Sequence, residues 1–137
     1  MLYFAYGSNL NLFQMKRRCK DSVFIKKYEL KGYRLNFRSK YRAADIEKSK
    51  NSLVPGALFE ISKSDEKKLD VYEDYPILYK KMYFKYYNNT VMTYIMPKKT
   101  IFRSFRKDSP FNSIPIFIFI WEFPNWFPIT YITPIWI

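Results

Sequence analysis

The chain predicts an α+β domain, because stretches of strand-type alternation outnumber two short segments with helical spacing. Tyr33, Leu35 and Phe37 alternate with Arg34, Asn36 and Arg38, and residues 79–87 and 91–96 alternate in the same way. Leu12, Met15 and Cys19 fall at helical spacing, as do Leu69, Tyr72 and Glu73. At 137 residues, 48% of them hydrophobic, the chain is long enough to bury a core of its own as one domain.

The first strand is the apolar, aromatic run Leu2 to Ala5, which ends at Gly7-Ser8-Asn9, a cluster of turn-forming residues. A helical pattern follows, so the cluster is a strand-to-helix elbow. Gly7 allows close approach to the backbone, Ser8 and Asn9 bring donors, and the next helix directs free N–H groups to the same place. Taken alone, the same residues also make an ordinary turn with an Asn cap. Asn11 to Lys20 reads as a short helix with Leu12, Met15 and Cys19 on its apolar face and Lys16, Arg17, Arg18 and Lys20 mostly on another. Cys19 on that stripe is expected to be a packed core thiol.

Val23 to Leu30 reads as a strand ended by Lys31-Gly32, followed by the alternating strand 33–38 with Tyr33, Leu35 and Phe37 buried. The polar, charged segment Tyr41 to Leu53 is expected to be a loop bordering a site. Val54 to Ile61 is again a strand, with Gly56 marking a close approach to its backbone. Ser62 and Asp65 form a capping-box pattern for a helix running to about Glu73, with Leu69 and Tyr72 expected to face the core. Glu73 then leaves the C-terminal end of that helix toward apolar surroundings, where desolvation and the helix dipole both raise its pKa. On the residues alone, a solvated carboxylate at a fraying helix end is the preferred reading. Pro76 stops the helix. Residues 79–87 and 91–96 form two strands joined by an Asn88-Asn89-Thr90 turn.

Composition narrows the chemistry. There is no His, which removes the usual general base and the commonest metal ligand, and with a single Cys it argues against a zinc or iron site. Catalysis would have to run on carboxylates, hydroxyls, amides and backbone groups. The lone Cys excludes an internal disulfide, and no export signal follows Met1, so a reducing, cytoplasmic location is expected. The 24 Lys and Arg against 12 Asp and Glu give +12, but they are scattered among abundant Ile, Asn, Tyr and Phe, as A/T-rich codons would produce. We read that charge first as genome composition.

Three stretches in order carry a resemblance: Tyr6-Gly7-Ser8-Asn9-Leu10, then Val54-Pro55-Gly56-Ala57-Leu58-Phe59, then Leu69-Asp70-Val71-Tyr72-Glu73-Asp74-Tyr75-Pro76 with Tyr79 three residues on. Together they resemble the gamma-glutamylcyclotransferase (AIG2-like) family over roughly residues 2–96, the combination being specific where each motif alone is weak. The resemblance implies a small, mixed, barrel-like sheet with peripheral helices. It implies Glu73 as the catalytic acid/base, with Tyr6, Gly7, Ser8, Asn9, Leu10 and Tyr79 binding a small-molecule gamma-glutamyl substrate, and neither metal nor cofactor. The reaction so implied releases 5-oxoproline and a free amine. Tyr79 on its own is equally a buried aromatic whose hydroxyl finds any partner. The family usually has Gly where this chain has Asp74, which places a second carboxylate beside Glu73.

Two other readings remain: a non-catalytic binding module of the same fold, and a basic nucleic-acid-binding domain suggested by the charge and the many aromatics. No recognition motif supports the second, so no specific nucleic-acid partner is expected. Residues 1–100 are expected to form the domain and 101–137 an atypical tail in the same domain or disordered. After Asp108 the tail carries one charge, Glu122, and five prolines among Phe, Ile and Trp. So many breaks argue against a membrane span. The joint loss of charge and family pattern suggests a shift of reading frame after about residue 100, which the gene's other frames test. Oligomeric state and the identity of the leaving amine stay open.

Overall fold

A computed structural model describes residues 1–39 and 41–97, so the expected boundary near residue 100 and the expected tail lie outside the described residues. Five strands form one sheet: β1 (Leu2–Ala5), β2 (Val23–Arg38), β3 (Ala43–Glu60), β4 (Lys80–Tyr86) and β5 (Asn89–Ile95). Their order is β2-β3-β1-β5-β4, with β1 parallel to β5 and every other pairing antiparallel. Among the described residues, two helices, α1 (Leu12–Arg18) and α2 (Lys63–Tyr72), join the sheet in an α+β fold.

The first strand sits in the centre and its residues point alternately into two cores. Tyr3 and Ala5 join Met15, Cys19 and Leu69 from the helices, whereas Phe4 and Tyr6 join Leu30, Val54, Leu58 and Val91 on the other face. On that second face the sheet curls, because side chains from its two edge strands meet. The Tyr28 ring of β2 stacks on Phe84 of β4 with centroids 6.0 Å apart, and both stand edge-on to Phe4. Tyr33 donates to Met82 Sδ across the same gap (3.4 Å). The expected barrel-like sheet is thus a curled five-stranded sheet.

Gly56 is a close approach as expected, and the approaching group is structural. A Cβ there would overlap the Phe4 ring and the Ala5 carbonyl. Ser62 caps α2 by accepting from the Asp65 N–H (3.0 Å), with the reciprocal Asp65 contact of a capping box. Cys19 is buried and its thiol pushed up to about 11 by desolvation, the inert core residue expected.

Several local expectations are corrected. Lys31-Gly32 does not end a strand: Gly32, with φ +79°, sits in a bulge of one long β2, opposite the Ser49–Ser52 stretch of β3. Residues 43–53 are not a loop but the first half of β3, held to β2 by Glu47 accepting from Arg34 (2.6 Å) and by its ion pair with Arg38. The alternation at 33–38 is borne out only at Tyr33, which is half-buried against the second core cluster. Leu35 and Phe37 are 42% and 40% exposed, while the Arg38 side chain is nearly buried against Asp45 (3.1 Å). Leu12 is exposed, and so is Tyr72 at 46%, leaving Leu69 to face the core without it. The last hairpin turns on Tyr87-Asn88, since Tyr86 already pairs with Asn89.

Candidate active site

β1 stops at Ala5 and Gly7 carries the chain into a short 3-10 turn, Ser8–Leu10, after which the Asn11 side chain caps α1 by accepting from Gln14 N. The cap is therefore Asn11, and Asn9 is free for other work. Its side chain is buried, a costly position for an amide unless every polar atom is paired. They are paired: Nδ2 donates to the Tyr3 hydroxyl and to Glu73 Oε1, both 2.9 Å, and Oδ1 accepts from Arg18 Nη1 (2.7 Å).

Glu73 is the C-cap residue of α2, so its side chain leaves the helix where the chain turns away and faces the elbow. It is half-buried, and desolvation raises its pKa to about 7 against the opposing effects of the Asn9 hydrogen bond and the Arg18 charge. Asp74 takes up φ +50°, a left-handed position that Gly occupies freely and Asp tolerates, and its side chain is exposed.

Between the elbow and α2 lies a cleft of about 260 Å³. Tyr6, Gly7, Ser8, Asn9, Glu73 and Tyr79 line it together, which unites six of the seven residues singled out in the sequence. Leu10 instead packs in the core with Met15. The Tyr6 hydroxyl donates to the Tyr94 carbonyl (2.6 Å) and the Tyr79 hydroxyl to the Ala44 carbonyl (2.5 Å), so both rings are fixed as walls. Tyr3, Tyr41, Tyr72 and Tyr94 also line the cleft, as do Ala43 and Ala44 from the start of β3. The segment misread as a loop therefore does border the site.

Arg18 was not singled out, because in the run Lys16-Arg17-Arg18 it looks like part of a solvated face. In the fold its guanidinium lies over the Tyr72 ring (3.7 Å), donates to Gln14 Oε1 (2.7 Å), and reaches Asn9. Among the described residues no group of three or more His, Cys, Asp or Glu could hold a metal ion, and no helix is long and apolar enough to cross a membrane.

Solved structures share this fold. A gamma-glutamyl cyclotransferase is 24% identical with a TM-score of 0.61, the match covering 71% of this chain and 66% of that one. An uncharacterized protein from Homo sapiens is 24% identical with a TM-score of 0.60, covering 70% and 66%. An AIG2-like protein from Mus musculus is 15% identical with a TM-score of 0.55, covering 80% and 90%. The chain spans just under two thirds of the length of the first two. No curated protein sequence matches it. The family model for gamma-glutamyl cyclotransferase, AIG2-like, matches residues 3–110, most of the chain, and the protein belongs to that family.

Proposed function

We propose that the cleft turns over a gamma-glutamyl amine or peptide, closing the glutamyl chain to 5-oxoproline and releasing the free amine. The observation that carries this reading is the half-buried Glu73 carboxyl, held by Asn9 at 2.9 Å and facing the Gly7–Asn9 elbow across a cleft of small-molecule size.

The substrate's own α-amino nitrogen is the nucleophile, so the entropy of bringing two reactants together is largely absent from the barrier. The α-ammonium group gives one proton to solvent, and Glu73 takes a second from the same nitrogen as it bonds to the γ-carbonyl carbon and the carbonyl oxygen becomes an oxyanion. Collapse of that intermediate breaks the bond to the leaving nitrogen, which receives the proton back from Glu73. A carboxyl with a pKa of about 7 suits both directions of transfer near neutrality. The elbow's backbone N–H groups and the Ser8 hydroxyl are the donors available to the oxyanion or to the substrate's α-carboxylate. No outside nucleophile is needed, which agrees with a chain that has no His.

The test is release of 5-oxoproline from a panel of gamma-glutamyl amino acids, peptides and amines. The wild type should release it, and Glu73→Gln should remain folded, bind substrate, and turn over about 10² to 10⁴ times more slowly. Near-wild-type turnover by Glu73→Gln removes the acid/base role. Binding without turnover by the wild type identifies a binding module instead.

A further inference from the structure

The Asn9 amide has two ends of nearly the same shape and opposite polarity, and something must decide which end meets Glu73. Arg18 decides it. A guanidinium has donors only, so the atom of Asn9 that faces Arg18 Nη1 at 2.7 Å must be the oxygen. The nitrogen is then left to Glu73 Oε1 and the Tyr3 hydroxyl, each at 2.9 Å, which uses both of its hydrogens. Arg18 is itself held in place. Its second arm donates to Gln14 on its own helix, and its face covers the Tyr72 ring, whose hydroxyl lies 3.0 Å from Ser8 Oγ. The chain of contacts runs from α1 through the elbow to the end of α2.

We infer that Arg18 is a positioning residue for Glu73: it locks the Asn9 amide with its nitrogen toward the carboxyl, making Oε1 a permanent acceptor and Oε2 the oxygen that takes and returns the proton. The inference rests on the cyclotransferase reading of the cleft. The carbonyl oxygen of a neutral carboxyl accepts hydrogen bonds better than its hydroxyl oxygen does, so with Asn9 donating to Oε1 the proton resides on Oε2. Removing Arg18 has two effects of the same sign. The carboxylate loses a nearby cation, and the amide is free to turn its oxygen toward Glu73, where only the protonated form is welcome.

The other ionisable groups facing Glu73 are hydroxyls that stay neutral around neutrality: Tyr3 on β1, Tyr6 just after it, Tyr79 ahead of β4, and Tyr94 on β5. Tyr72 precedes it on α2. Arg18 is the cation among the groups that set its ionisation.

The test compares Arg18→Met, which removes both donor and charge, with Arg18→Lys, which keeps a donor-only cation. The Glu73 carboxyl carbon is followed by ¹³C NMR through a pH titration, with its signal identified by its absence in Glu73→Gln. Arg18→Met should titrate at higher pH than wild type, and Arg18→Lys should stay near wild type. The acid limb of kcat/KM should move with it, so that Arg18→Met loses about tenfold at about pH 6 and recovers most of that by about pH 9. Should Arg18→Met not fold, Arg18→Leu, which likewise has neither donor nor charge, makes the same prediction. An unmoved Glu73 titration in the folded variant, or a loss of activity equal at every pH, overturns the inference. The NMR titration reads the Arg18–Asn9–Glu73 link whether or not any gamma-glutamyl compound is turned over, so failure of the reaction and failure of the link are seen separately.

Discussion

Glu73 titrates at about 7 in the folded chain against an ordinary 4.5, and the sign of that difference fixes how stability follows pH. A folded-state pKa raised above the unfolded one means that the native state binds the proton more tightly. The contribution is complete below 4.5 and is lost as pH rises through about 7, by at most about 3 kcal/mol for a half-buried group. Glu73→Gln, which cannot ionise, should therefore be more stable than wild type at about pH 8 and indistinguishable from it at about pH 4. Urea unfolding at the two pH values measures this, and equal stability at both would show that burial does not hold the carboxyl up. On the proposed reaction, activity should run the opposite way, with wild-type kcat/KM rising through an acid limb near pH 7 as the base is uncovered. On that proposal Glu73 weakens the fold under the conditions in which it would act, the usual conflict between stability and function.

Among the elements, β3 shows most plainly what a sequence does and does not disclose. Its second half was legible because Val54 to Ile61 is apolar and continuous, but Ala43 to Leu53 is polar and charged. That half is a strand because β2 runs beside it and Glu47 finds Arg34 and Arg38 across the ladder, a tertiary pairing that no local pattern announces. Leu35 and Phe37 stay uncovered, although their alternation reads as a buried face. The α2 cap was legible because Ser62 and Asp65 are three residues apart in one chain, whereas Arg18 was not, because its partners come from the elbow and from α2. Gly56 belongs at this scale too. Gly56→Ala should cost about 2–3 kcal/mol in urea unfolding, since its methyl would have to displace the Phe4 ring and the Ala5 carbonyl of the neighbouring strand. A cost near zero would mean that β1 and β3 are less closely apposed.

For the molecule as a whole, the curl of the sheet is the property to test, because it brings β2 and β4 together from opposite edges of a five-stranded order. A double-mutant cycle between Tyr28→Ala and Phe84→Ala should give a coupling of about 1 kcal/mol. Additive effects would indicate that the two edges do not touch. The placement of β1 has a different consequence, one that concerns the history of each molecule. β1 lies between β3 and β5, and the cleft needs Tyr3 and Gly7 as well as Glu73, Tyr79 and Tyr94. Contacts between residues so far apart in sequence are the slow ones to form. During synthesis the elbow leaves the ribosome early and must wait, with its central strand unpaired on one side, until β5 has been made. Only then do its walls close around Glu73, so appearance of the cleft marks completion of the sheet, and a nascent chain halted before β5 carries the elbow but not the site.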